Sequence, residues 1–266
     1  MSPVLLYAEV SLLHNKQKNW TREETMLAFE LYCTIPKGKD TVYNEQIIAL
    51  ASAINRSVNS IKLKLQNFKS YDPSYTQDGR IGLNHGSKLD EEVCKEFLQN
   101  WNALIVETNE IKTRLKLSQF EQSILITQEI PIGGDIVRNQ KVRIGQAFFR
   151  SALLAAYNHR CCFTGITVPE LLRASHIKPW SASDDINEKT NPQNGLLLNA
   201  LHDAAFDKGL MTITADYKIL VSKKLINEND DNKMFFEKYH GRNMFLPSRF
   251  LPDRRFIEYH NNIFKE

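Results

Sequence analysis

Between Trp20 and Trp101 apolar residues recur at helical spacing, broken by caps and turns. Thr21-Arg22-Glu23-Glu24 reads as a capping box, in which the Thr21 hydroxyl meets the Glu24 amide and the Glu24 carboxylate reaches back. Met26, Leu27, Phe29 and Leu31 continue that helix, and Pro36 ends it. Asn44 caps a second helix with Ile47, Leu50, Ala51 and Ile54 on one face. Asn55-Arg56-Ser57 makes a tight break. A third helix is predicted over Val58 to Phe68, buried along Val58, Ile61, Leu65 and Phe68. Its opposite face carries Asn59, Lys62, Gln66 and Lys69, flanked by Lys64 and Asn67.

Helix, short turn, helix is the pattern of a helix-turn-helix unit. Asn59 and Gln66 are amides able to read base edges, and Lys62 and Lys64 are cations able to meet phosphate. A plain three-helix bundle with a solvated polar face carries the same pattern, and both readings stand at this level. Residues 70–86, with Tyr71, Tyr75 and His85, read as a loop or extended wing. A helix is expected from about Ser87, with Leu89, Val93, Phe97 and Trp101 spaced by four, continuing toward Leu117 as a connector. Ser123 to Thr127 reads as a strand and Gly133-Gly134 as a break, and Phe148 to Tyr157 reads as an apolar helix.

The most informative stretch is 172–209. It contains Leu172-Arg173-Ala174-Ser175-His176-Ile177-Lys178-Pro179-Trp180, then a polar loop, then Asn194-Gly195-Leu196-Leu197-Leu198-Asn199-Ala200-Leu201-His202, closing on Phe206-Asp207-Lys208-Gly209. The pattern predicts a strand over Leu171 to Ile177, a strand over Gly195 to Leu198, and a short helix stopped by Gly209. His176, Asn194 and His202, framed by His176-x-x-Pro179, Asn194-Gly195 and Phe206-Asp207-x-Gly209, resemble an HNH nuclease built on the ββα-metal finger. The resemblance takes in Gly145-Gln146-x-x-Phe149-Arg150 and Arg160-Cys161-Cys162-Phe163-Thr164-Gly165 upstream, and Leu246-Pro247, Pro252 and His260 downstream. It covers roughly residues 140–266 and points to restriction-type members with a C-terminal HNH domain.

The chemistry explains why such residues are needed. Cutting a phosphodiester takes a deprotonated water, neutralisation of the growing phosphorane charge, and help for the leaving oxygen. A neutral imidazole is a base matched to pH 7, and a divalent cation can hold phosphate and leaving oxygens together. The resemblance implies His176 as the base, His202 as a metal ligand, and Asn194 as the residue that fixes the loop and the His176 backbone. Asn-Gly also favours turns by itself. Many members place Asp or His immediately before the base, where this chain has Ser175. A hydroxyl is a poor ligand, so a carboxylate from elsewhere is expected. Asp207 is the candidate, the other reading being a surface carboxylate at the helix end. Arg173 and Lys178, with Arg150 and Arg160, are candidate phosphate contacts or ordinary surface charges.

Composition narrows the class without choosing the function. The 266 residues allow one large or two modest domains, and 42% hydrophobic with 24% charged residues is ordinary for a globular protein. A net charge of +3 is too mild to establish a nucleic-acid partner. No apolar run spans a membrane, and Met1 to Leu13 lacks the layout of a secretion leader, so a cytoplasmic location is expected. Four cysteines are too few for a disulfide scaffold, and the adjacent Cys161-Cys162 lacks C-x-x-C spacing, so no structural zinc is expected. Asn227 to Asn232 is an acidic loop without the spacing of a calcium site.

The expected fold is α+β. A helical DNA-recognition domain over 1–120 is followed by a connector over 121–139 and an HNH nuclease domain over 140–266. The implied activity is hydrolysis of double-stranded DNA with Mg²⁺, or Mn²⁺ or Ni²⁺, in restriction or defence, with dependence on base modification as one form of it. A homodimer is one route to cutting both strands. A DNA-binding regulator with a degenerate finger and an RNA nuclease are the competing functions.

Overall fold

The Thr21 capping box forms as the sequence requires: Thr21 Oγ1 accepts from the Glu24 amide at 3.2 Å and Glu24 Oε2 accepts from the Thr21 amide at 2.9 Å. Such a cap stabilises a helix by about 1 kcal/mol. The computed structural model describes residues 18–72, 86–117, 136–227 and 230–266. The arm before residue 18, Tyr75, His85, the strand expected at Ser123 to Thr127 and the Gly133-Gly134 break lie outside them.

Helix α1 (Arg22–Thr34) is buried nearly all round, through Met26, Leu27, Ala28, Phe29, Tyr32 and Cys33. A helix apolar on every side belongs at the centre of a core. It packs against α3 (Val58–Phe68), α4 (Lys88–Phe97), α5 (Trp101–Arg114) and α6 (Ile136–Ala156). Between α1 and α3 lies α2 (Glu45–Ala53), capped by Asn44, whose Oδ1 accepts from the Gln46 and Ile47 amides. Asn55 turns the chain toward α3 with φ +53°, a left-handed conformation that asparagine tolerates.

Two expectations change here. The helix from Ser87 does not run on to Leu117. It breaks between α4 and α5, where the Asn100 side chain leaves the helical path and caps the Ala103 amide at 3.0 Å. The helix expected at Phe148 to Tyr157 begins twelve residues earlier, at Ile136.

That longer α6 serves two hydrophobic cores. Phe148 and Ala152 enter the first, with Trp101, Phe29 and Phe68, while Phe149, Leu153 and Ala156 enter the second. The second core gathers β1 (Leu172–His176), β2 (Gly195–Asn199), α7 (Ala200–Asp207), β3 (Met211–Ile213) and β4 (Ile219–Val221). Short helices α8 (Lys223–Asn227) and α9 (Asp230–Phe236) follow, then α10 (Arg254–Asn261). The two sheets among the described residues are each two-stranded and antiparallel. In the first, Leu172 pairs with Asn199 and His176 with Gly195.

The chain is therefore helical first and mixed afterwards. The tail returns across the cores: Arg249 donates to the Tyr32 carbonyl of α1, and Phe250 packs edge-on to Trp101 at 5.2 Å. Among the described residues no helix is long and apolar enough to cross a membrane.

Candidate active site and metal centre

Two antiparallel strands running straight into α7 set the site. Asn199 ends β2 and caps α7, its Oδ1 accepting from the Leu201 and His202 amides. Gly209 stops the helix with φ +67°, and a Cβ there would lie 2.5 Å from the Ile263 carbonyl oxygen, so only glycine fits. His260 seats α10 against this end. Its ring stacks on Phe206 at 3.8 Å, with Nε2 3.1 Å from the Phe206 carbonyl.

Successive side chains of a strand face opposite ways. His176 turns toward α6, where its ring stacks on Phe149 at 4.1 Å and meets Trp180 edge-on at 5.4 Å. His176 Nε2 lies 2.8 Å from the Lys189 carbonyl oxygen. A carbonyl only accepts, so Nε2 carries the proton and Nδ1 holds the free lone pair. Burial lowers the His176 pKa, with the Lys189 carbonyl opposing, so the ring is neutral at pH 7.

Asn194 is fully buried and ties this arrangement together. Its Oδ1 accepts from the Lys178 amide at 2.8 Å. Its Nδ2 donates to the Lys178 carbonyl, Ser183 Oγ and the Glu188 carbonyl at 3.1–3.2 Å. Its own carbonyl accepts from the Ile177 amide. The loop that supplies the Lys189 carbonyl is thus closed by one amide side chain.

Ser175 turns the other way, toward α7. Its hydroxyl is buried and lies beside the Asp203 carboxyl, close enough to favour the ionised form but outside good hydrogen-bond geometry. Burial raises the Asp203 pKa, with Ser175 and the Arg173 charge opposing. Asp207 sits one turn further along the same face. Asp207 is exposed overall, yet partial desolvation of its carboxyl, then the Asp203 charge, push its pKa up to about 6, with Lys208 opposing.

The Asp203 charge raises the Asp207 pKa, and a cation beside the two carboxylates would neutralise that repulsion. Among the described residues no three His, Cys, Asp or Glu side chains converge as a complete metal cage. The donor set here is two carboxylates and a hydroxyl. That suits a hard ion such as Mg²⁺, which keeps several waters and takes one or two carboxylates together with substrate phosphate.

Residues 161–214, which hold this ββα unit, match a family model described as HNH endonuclease. The chain carries a C-terminal HNH domain. A comparison with curated proteins gave no match.

Within the HNH domain the expected residues divide. His176 and Asn194 are brought together through the loop. His202 and Asp207 are not: five positions apart on α7, they face different ways. His202 is 4% exposed, among Phe163, Phe236 and Tyr239 at ring distances of 5.0–6.3 Å. Its Nδ1 is 3.1 Å from Asn199 Oδ1, and burial depresses its pKa to about 4. Asp203, which the sequence reading did not single out, shares a face of α7 with Asp207 at four-residue spacing.

The expected DNA contacts also divide. Asn59 is exposed, and Lys62 and Gln66 are partly exposed on the same side of α3. Lys64 is not on that side. It is 3% exposed and its ammonium binds Asp90 of α4, with Trp20 beneath it at 4.4 Å. It lies between Ile61 and Phe68 on the core-facing stripe, and a buried charge is tolerated there only because Asp90 pairs with it. Arg173 bends onto the Glu170 carbonyl at 2.9 Å. Lys178 pairs internally with Glu188 at 2.5 Å.

Proposed function

We propose that the protein is a divalent-metal-dependent endonuclease acting on double-stranded DNA in restriction or defence. The observation that carries this reading is the orientation of His176: Nε2–H is spent on the Lys189 carbonyl, leaving Nδ1 as the basic nitrogen, on a strand whose neighbouring Ser175 hydroxyl lies on the opposite face beside the Asp203 carboxyl. His176 Nδ1 takes the proton from the attacking water. Asp203 and Asp207 would hold a divalent cation, which would supply neutralisation of the charge that builds up on the phosphate. Oxygen donors favour Mg²⁺ or Mn²⁺ over Ni²⁺. His202 orients α7 from its aromatic surroundings, and Asn194 positions the loop. Asn59, Lys62 and Gln66 of α3 read the target, with α2, the turn and α3 acting as a helix-turn-helix. Since one site cuts one strand, double-strand cleavage takes a second copy of the chain or a second event.

A second reading keeps the same fold but no chemistry: a DNA-binding regulator with a degenerate finger. Ser175 in place of a strong ligand, and the missing third donor, favour it. Nicking of supercoiled plasmid with and without Mg²⁺, with RNA offered in parallel, separates these. The expected result is Mg²⁺-dependent nicking of DNA that His176→Ala lowers by about 10²–10⁴-fold with DNA binding retained. DNA binding without any nicking favours the regulator, and cleavage of RNA alone refutes a DNA substrate.

A further inference from the structure

Helix α3 has a face that the first core does not use. Ile61, Lys64, Leu65 and Phe68 point inward, while Asn59, Lys62, Leu63 and Gln66 point away. Leu63 stands out on that face. It is 58% exposed, although Ile61 and Leu65 on either side of it are fully buried. Core packing gives no reason for a large apolar side chain there. A lone exposed leucine is common on any surface. This one sits one turn from Asn59 and one turn from Gln66, at the centre of a row of amides.

The charges around it indicate the occupant. Helix α3 contains no acidic residue. Lys64 and Lys69 are neutralised by Asp90 and Asp40, whereas Lys62 has no ion pair among the described residues. Lys37 and Lys39 are exposed on the loop that the Asp40–Lys69 ion pair, at 3.0 Å, ties to the end of α3. Cations at the edges, amides in the middle and an apolar tip between them match the major groove of duplex DNA. Its edges are phosphate, its floor carries donors and acceptors, and its one apolar feature is the methyl group at pyrimidine C5.

We propose that Leu63 is a specificity-determining residue that packs on the C5 methyl group of a pyrimidine in the target duplex. Thymine and 5-methylcytosine present that methyl at the same place, whereas uracil and cytosine leave the position bare. The inference rests on the reading role given to α3 above. Burying one methyl against leucine corresponds to about a fourfold difference in affinity.

The test uses the full-length protein in Mg²⁺-free buffer and a random-sequence duplex pool prepared with thymine or uracil and with cytosine or 5-methylcytosine. After selection, affinity is measured for the preferred duplex in each version. If thymine is the source, uracil at one position weakens binding about fourfold; if 5-methylcytosine is the source, unmethylated cytosine does so. Leu63→Ala, which changes an exposed side chain and should leave the melting temperature unaltered, should bind the methylated and bare versions equally. Equal wild-type affinity for all versions overturns the proposal, as does discrimination that survives Leu63→Ala. If Asn59→Ala and Gln66→Ala alter site preference while methyl content never matters, only the role of Leu63 falls. A protein that binds no duplex overturns the reading role of α3 and this proposal together.

Discussion

Replacing Asn194 with alanine should loosen the catalytic loop by a large and countable amount. The side chain accepts one hydrogen bond and donates to three acceptors, all within 3.2 Å and in a fully buried position. Its two N–H groups are shared among those three acceptors, so about three full hydrogen bonds at about 1 kcal/mol net each sum to about 3 kcal/mol. Losing them also strands the part-buried Lys178 amide, at about 1 kcal/mol or more unless water enters. Partial relaxation of the loop brings the expected loss to about 3–4 kcal/mol. The chemical consequence runs through Lys189. When its carbonyl drifts, His176 loses the partner that holds the proton on Nε2, and the ring is free to turn. A displacement of about 1 Å in a catalytic group costs on the order of 10²-fold in rate. Asn194→Asp should do no better, because a carboxylate cannot donate to the Lys178 and Glu188 carbonyls. The assay combines urea unfolding of the full chain, plasmid nicking, and ¹⁵N NMR of the imidazole to report which ring nitrogen is protonated. A variant within about 1 kcal/mol of wild type, with the His176 tautomer unchanged, would refute the claim that Asn194 organises this site.

Other outcomes follow from the same geometry. Asp203→Asn should weaken Mg²⁺ or Mn²⁺ binding in calorimetric titration, and His202→Ala should leave it nearly unchanged; the reverse would put His202 in the coordination shell. Asp207 has a pKa raised to about 6, so the folded state holds its proton more tightly than the unfolded chain does. Its contribution to stability is therefore present at low pH and is lost as pH rises from the unfolded carboxylate value through about 6. Metal affinity should follow the opposite course, rising through that range and levelling above it, and the inflection should move lower in Asp203→Asn. A flat profile would show that Asp207 is not a ligand. Lys64→Ala should destabilise the fold by about 3–5 kcal/mol by leaving Asp90 buried and unpaired. Lys62→Ala should leave stability alone and flatten the salt dependence of DNA binding by about one unit. Equal stability of the two variants would contradict the assignment of their faces.

What the sequence determined by itself is local. Thr21 and Asn44 name their helix starts because a cap acts on amides two or three residues away. The strand, Asn-Gly, strand, helix order of the HNH motif was legible for the same reason, with His176 and Asn194 at its centre. The tertiary structure decided what depends on partners remote in the chain. Lys64 became a core residue because Asp90 comes to meet it from α4, and no spacing within α3 announces that. Helix α6 became a shared wall because its two faces meet different cores, one of them completed by Phe250 from the tail. His202 is set apart from Asp207 because Phe163, Phe236 and Tyr239 close around it, while Asp203 shares the face of α7 that Asp207 and Ser175 border. Helical periodicity assigns a residue to a face; only packing says whether that face meets solvent, another core or a buried carboxylate.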